Sequence, residues 1–196
     1  IRRDIELDRY IRTGQVVIVT GIRRCGKSTL LFLIKEQMSL TQEQYCYFNF
    51  DDERIEPVVG ILEEIYRIHL ELYGRDPVFF LDEIQHIAGW EKFVNRMFEQ
   101  GLKIFVTGSN ARMLSSEIST SLTGRNLLLE LQPFSFSEYL RYLGHSYDTE
   151  RLTTKTGSLL LRDLGEYMTL GGFPTVVRER DPALVHSYFQ DILYRD

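Results

Sequence analysis

Eight consecutive residues, Gly21-Ile22-Arg23-Arg24-Cys25-Gly26-Lys27-Ser28, bring together the groups that hold a polyphosphate. Gly21 and Gly26 let the loop turn its backbone N–H groups inward, Lys27 can reach the outer phosphates, and the Ser28 hydroxyl suits a magnesium ion. The contact set is therefore Gly21, Ile22, Arg23, Arg24, Cys25, Gly26, Lys27, Ser28 and Thr29. A plain glycine-rich turn between buried elements is the alternative, but it leaves Lys27 unexplained, since a lysine is rarely buried unpaired. Arg23 and Arg24 have three open readings: steering a triphosphate, touching a partner, or facing solvent. A second chemical group is Asp82-Glu83, which ends the apolar run Val78-Phe79-Phe80-Leu81. A magnesium nucleotide needs one carboxylate for the ion, here Asp82, and a second group to orient and deprotonate attacking water, here Glu83. Such a pair is more often only a strand end, and it is the phosphate loop upstream that gives it meaning. The third group is a polar strand tip, where Thr107, Ser109 or Asn110 could bond a terminal phosphate or the attacking water. A helix N-cap is the rival role there.

These groups need a scaffold that gathers them at one end. The β-branched run Val16 to Thr20 before the loop and Thr29-Leu30-Leu31-Phe32-Leu33 after it predict strand, loop and helix, with the helix adding its positive end. Further strands are predicted at Tyr45 to Phe50, Val78 to Leu81, Leu102 to Thr107 and Asn126 to Leu131. Helical spacing predicts helices over Asp4 to Arg12, Pro57 to Tyr73 and Trp90 to Phe98, the first beside the nucleotide and Trp90 as core packing. Asp51-Asp52-Glu53 reads equally well as facing the site or as a solvated turn. Five strands with intervening helices predict an α/β fold, a five-stranded parallel sheet flanked by helices. From Pro133 the pattern becomes wholly helical, which predicts a P-loop core over residues 1–133 and a small all-helical lid, incomplete, over 134–196. The chain opens on Ile1 and stops in a helical pattern at Ile192 to Asp196, so we expect a fragment of a longer protein.

Composition narrows the classes. With 196 residues, 43% of them hydrophobic, the chain can bury a full core. A net charge of −5 with scattered basic residues does not advertise a nucleic-acid surface, although a local basic patch stays open. Two cysteines make neither a metal spacing nor a disulfide framework, and four histidines are isolated, so a reducing cytoplasm is expected and no metal is assigned to His or Cys. No apolar run approaches the roughly 18 residues of a membrane helix, so no membrane partner is expected.

The motifs together resemble AAA+ type ATPases, and within them the bacterial and archaeal group whose core is followed by a domain of unknown function. The resemblance rests on the phosphate loop through Leu31, on Leu81-Asp82-Glu83-Ile84-Gln85 with Trp90-Glu91, and on Thr107-Gly108-Ser109-Asn110. It continues in Leu122-Thr123-Gly124-Arg125, Pro133-Phe134-Ser135-Phe136 with Glu138-Tyr139, and Gly171-Gly172-Phe173-Pro174. It implies that the strand ending near Thr107 lies between the Asp82 strand and the phosphate-loop strand. It also implies a phosphate sensor at Ser109, with Asn110 as the alternative. Arg125 would reach a neighbouring subunit's γ-phosphate, making the protein a homo-oligomer, or else be a surface arginine at a sheet edge. A further sensor arginine would be Arg178 or Arg180.

Two functions stand ahead of the rest. One is a Mg-dependent ATPase, with ATP and Mg2+ as cofactors, hydrolysing ATP to ADP and phosphate as a switch or machine. The other is a nucleotide-gated binding or scaffold module with little intrinsic hydrolysis, its partner an unknown protein or nucleic acid, DNA among the candidates. A small-molecule kinase is disfavoured by the absence of an arginine cluster in the tail, and a GTPase by the absence of an Asn-Lys-x-Asp stretch.

Overall fold

The computed structural model describes residues 2–58, 60–109 and 122–195. Its chain divides into two compact units, one made of Glu6–Gly21 and Lys27–Leu131, the other of Ile1–Ile5, Ile22–Gly26 and Gln132–Asp196.

The first unit is built on five parallel strands: β1 (Val16–Thr20), β2 (Tyr45–Asn49), β3 (Val78–Asp82), β4 (Ile104–Gly108) and β5 (Asn126–Glu130). Their order across the sheet is β2-β3-β4-β1-β5. Thus β4 separates the Asp82 strand from the phosphate-loop strand, as the resemblance implied. Every residue of β1 and β4 is buried, which suits β-branched and aromatic side chains covered on both faces. On one face Val16, Ile18, Phe79, Leu81, Ile104 and Val106 pack with helices α3 (Ile61–Tyr73) and α4 (Trp90–Glu99). Trp90, 1% exposed, belongs to this core. On the other face the Phe80 and Phe105 rings stack at 5.0 Å, and Tyr47 meets Phe32 of α2 (Lys27–Gln37) at 4.7 Å.

Two predicted helix starts move. The first helix, α1, covers Leu7–Arg12 rather than beginning at Asp4. Helix α3 begins after Gly60 (φ 98°), not at Pro57, because the left-handed glycine sets the turn into it. Asp52 is engaged by Arg54 in an exposed turn, at 2.9 and 2.6 Å, so its solvated reading is the one that the structure supports. The helix that the tip at Thr107, Ser109 or Asn110 would cap, starting near Ala111, lies outside the described residues, as does Asn110.

The second unit contains α5 (Phe136–Leu143), α6 (Thr154–Leu170), α7 (Pro174–Glu179) and α8 (Pro182–Arg195). Ser135 caps α5 by accepting from the Glu138 N–H, and Glu138 returns the bond to the Ser135 N–H at 2.9 Å. The same carboxylate takes the Arg3 guanidinium at 2.8 Å, with both side chains almost wholly buried. Burial raises the Glu138 carboxyl, but Arg3 and the Asp4 and Ser135 amides outweigh it and hold the group below its usual value. Arg3 also donates to the Gln132 carbonyl at 2.6 Å and the Cys25 carbonyl at 3.4 Å. The short α7 went unseen in the sequence because Gly171-Gly172-Phe173-Pro174 reads as a break, although Pro174 in fact opens it.

Candidate functional site

In a parallel sheet the carboxyl ends of the strands share one edge, and here they gather Lys27, Asp82, Glu83, Thr107 and Ser109. Lys27, the first residue of α2, is 4% exposed; its Nζ donates to the Gly21 carbonyl at 3.1 Å and lies 3.3 Å from Glu83 Oε1. The loop leading to it has the backbone that its glycines allow, with φ of 145° at Gly21 and 105° at Gly26. Arg24 also has positive φ, and its guanidinium lies 4.1 Å from the Tyr188 ring centre. Arg23 and Arg24 are exposed, Cys25 is fully buried, Ile22 and Ser28 are half-buried, and Thr29 is exposed at the start of the helix.

Asp82 is wholly buried, and both of its oxygens are engaged. Oδ1 accepts from the Thr107 hydroxyl, and Oδ2 accepts from the Tyr47 hydroxyl at 3.0 Å. Burial pushes the Tyr47 phenol up, and the Asp82 charge pushes it further, so the phenol keeps its proton to donate. Thr107 also accepts from the Glu83 N–H at 2.9 Å. Its hydroxyl is thus committed to fixing the two acids, a different task from the phosphate or water contact considered from sequence.

Glu83 sits in the left-handed region (φ 52°, ψ 47°), a conformation that costs a non-glycine residue and turns its side chain away from the strand's own line. Gln85 Nε2 donates to Glu83 Oε2 at 2.7 Å and approaches Ser109 Oγ at 3.5 Å. Burial raises the Glu83 carboxyl, but the Lys27 ammonium, the Gln85 amide and the Ser109 N–H together hold it below its ordinary value. The result is a continuous polar chain, Lys27 to Glu83 to Gln85 to Ser109. Gln85 Oε1 is buried without a hydrogen-bond partner among the described residues.

Tyr47 and Gln85 are the site residues that sequence reasoning did not assign. Tyr47 lies thirty-odd positions upstream, and only the pairing of Asn49 with Asp82 brings its strand alongside. Gln85 stood within the motif, but its reach depends on the left-handed turn at Glu83.

Arg125 is placed elsewhere. Its carbonyl accepts from the Val16 N–H at 3.0 Å, so it is level with the start of β1. The length of β1 puts it about 17 Å from the loop end of the sheet. Its guanidinium bonds Glu99 at 2.7 Å and Asn95 at 2.5 Å on α4. In the second unit Arg178 pairs with Glu179 at 2.9 Å, and Arg180 approaches Glu166 at 3.6 Å.

A family described as an AAA domain matches residues 13–140, more than half of the chain. The chain belongs to the AAA domain family. This AAA chain is 36% identical over 201 residues to the uncharacterized protein MJ1544 of Methanocaldococcus jannaschii, covering 100% of the chain and 44% of that protein. It is 31% identical to an uncharacterized protein of Haemophilus influenzae, covering 97% and 48% respectively. The chain therefore spans less than half the length of both relatives. Among solved structures, that of C. elegans PCH-2 aligns with a TM-score of 0.53 at 15% identity, covering 94% of this chain and 57% of PCH-2. The AAA+ P-loop fold is thus shared well beyond recognisable sequence. Among the described residues, no helix is long and apolar enough to cross a membrane.

Proposed function

We propose that this AAA protein binds ATP with magnesium and hydrolyses it to ADP and phosphate, working as a nucleotide-driven switch or machine. The observation that carries this reading is the approach of Lys27 Nζ to Glu83 Oε1, 3.3 Å, beside a buried Asp82 held through both oxygens. The loop amides from Gly21 to Thr29 and Lys27 take the phosphates. An entering γ-phosphate competes with Glu83 for the Lys27 ammonium. Glu83 Oε1, released from that pair, accepts the proton of the attacking water, while Gln85 keeps hold of Oε2. Ser109 senses the terminal phosphate, with Asn110 as the alternative.

The donor set fits magnesium. Ser28 offers a hydroxyl and Asp82 a carboxylate, both hard oxygen ligands, and each Asp82 oxygen retains a lone pair beyond the one given to Tyr47 or Thr107. When bound, the ion neutralises charge developing on the phosphates.

Arg125 supports a shared site. At the far end of the strands from its own phosphate loop, it would act in hydrolysis through a neighbour in a homo-oligomer, where such an arginine contributes about 10³–10⁵ in rate. The same observation favours the second reading for the isolated chain, a nucleotide-gated scaffold for an unidentified protein or nucleic acid. The helices of residues 134–196 would be the moving lid, with Arg178 or Arg180 as its sensor, and the cysteine usage fits a cytoplasmic location.

ATP turnover measured against protein concentration tests this. Turnover per subunit should rise with concentration and fall to background in Glu83→Gln and Arg125→Ala, while Lys27→Ala loses nucleotide binding. Wild-type hydrolysis by Glu83→Gln would remove Glu83 from the water-activating role. Binding without turnover at any concentration would favour the scaffold.

A further inference from the structure

Strand β2 forms one edge of the sheet, with β3 as its neighbour on the inner side. The Phe50 N–H donates to the Asp82 carbonyl at 3.0 Å while Asn49 stands opposite Asp82, so the ladder bonds of the strand fall on Cys46 and Phe48. Tyr45, Tyr47 and Asn49 therefore turn their backbone N–H and C=O groups away from the sheet, where no backbone partner meets them among the described residues. Folded proteins usually guard such an edge with a charge, a proline or a bulge. The run Tyr45-Cys46-Tyr47-Phe48-Asn49 has no charge and no proline, and it pairs residue for residue with β3.

A groove of about 390 Å³ follows this edge within the sheet-bearing unit. Cys46 and Phe48 pack toward the core under α3, whereas Tyr47 meets Phe32 of α2 on the other face. Both Tyr45 and Tyr47 line the groove together with Cys46 and Phe48, so it runs along the open side of the strand and not over one face alone. Ile61, Ile65, Ile68 and Leu72 of α3 form its apolar wall. Ile68 and Leu72 are 42% and 68% exposed, and a strand added about 4.8 Å from β2 would reach them.

Charge separates the occupants. The segment from Glu43 to Leu72 holds eight Asp and Glu against two Arg, a net charge of −6, whereas the whole chain carries −5. The acidity of this protein is thus concentrated around the groove, with Glu64 in its lining, Glu43 before β2 and Asp51-Asp52-Glu53 after it. A second copy of the same edge would bring like charges together. In an antiparallel pairing centred on Tyr47, each Glu43 would face an Asp51, and like charges directly opposite are destabilising.

We propose that β2 accepts one further strand from a partner protein, an extended segment whose centre is apolar at alternate positions and whose two ends carry Lys or Arg. Its backbone would pair with Tyr45, Tyr47 and Asn49, its apolar side chains would enter the α3 groove, and its basic ends would meet the acids that flank β2. The inference is independent of ATP hydrolysis.

The probe is the end-capped peptide Lys-Lys-Val-Thr-Ile-Thr-Val-Lys-Lys, which reads the same in both directions and so suits parallel or antiparallel pairing. Its control carries Glu in place of every Lys. Fluorescence anisotropy of the labelled peptides gives affinity, and amide hydrogen exchange followed by NMR gives the place. The basic peptide should saturate below about 1 mM and bind about tenfold tighter than the acidic one, with the gap narrowing as salt is added. It should slow exchange at Tyr45, Tyr47 and Asn49 and leave Cys46 and Phe48, already bonded to β3, unchanged. Leu72→Lys and Glu43→Lys, both at exposed positions, should each weaken the basic peptide about tenfold with an unchanged urea midpoint. No saturable binding, equal affinity for the two peptides, or protection without that alternation would each overturn the proposal. Slowed exchange at the same three amides on raising protein concentration alone would also overturn it, in favour of a second copy.

Discussion

Glu83 shows how one side chain can be held between opposing demands. Burial favours its neutral form, whereas Lys27, Gln85 and the Ser109 amide favour the carboxylate, and the carboxylate wins. The sign of the pH effect follows. A carboxyl held below its ordinary value of 4.5 contributes stability that is fully present above that pH and is lost as pH falls through the lowered value. Glu83→Gln should therefore cost about 2 kcal/mol at pH 7, and the difference from wild type should shrink below pH 4.5 as the native carboxyl takes up its proton. Urea midpoints at pH 7 and pH 3 measure this; a difference that persists unchanged at pH 3 would mean that the charge is not what stabilises the pair. Asp82 illustrates another residue-scale rule. A wholly buried carboxylate is tolerated where its oxygens are paired, and Thr107 and Tyr47 supply those bonds.

At the scale of elements, the helical unit is organised by a close backbone approach. The Phe134 N–H donates to the Gly172 carbonyl at 2.7 Å, and a Cβ at Gly172 would fall 2.1 Å from the Phe134 carbonyl oxygen. Tyr167 of α6 donates its hydroxyl to that same oxygen at 2.7 Å. The neighbour is backbone and cannot swing aside, so Gly172→Ala should destabilise the chain by about 3 kcal/mol. In contrast, alanine at Gly165, where nothing lies within 4 Å of the added carbon, should be tolerated. Denaturant melts of the two variants give the comparison, and equal stability would mean that the Phe134 backbone can yield. The Gly-Gly-Phe-Pro run therefore does two things at once: Gly172 admits the Phe134 backbone, and Pro174 starts α7. Lys103 does comparable work for α1, its ammonium donating to the carbonyls of Tyr10 and Thr13 at 2.9 and 2.6 Å.

For the molecule as a whole, the direction of the strands separates two sets of residues. Lys27, Asp82 and Glu83 lie at the carboxyl ends, and Arg125 at the amino ends beside Glu99 and Asn95. If subunits share sites, an Arg125→Ala subunit retains a complete phosphate site and a Lys27→Ala subunit retains a usable arginine. Mixing the two variants should then restore turnover to several-fold above either alone, at concentrations where wild type is active. No recovery would place Arg125 outside the reaction and leave it as the bond between β5 and α4.

The amino-acid sequence by itself determined the fold class and singled out the residues proposed for the chemistry. Local patterns carry those features: the phosphate loop dictates its own backbone through Gly21 and Gly26, and the run Val78 to Leu81 announces a buried strand ending in two acids. Five strands were readable for the same reason, since β-branched and aromatic runs between turns need no distant partner to be recognised. Tertiary structure decided which side chains meet. Thr107, Tyr47 and Gln85 converge on the acids only because β2, β3 and β4 lie side by side in register and because Glu83 turns left-handed. The register of parallel strands is set by packing on both faces of the sheet, and the Glu83 turn is held by the Thr107 hydroxyl on its N–H. Neither bond has a local signature, because each joins residues whose separation in the chain is erased only by folding.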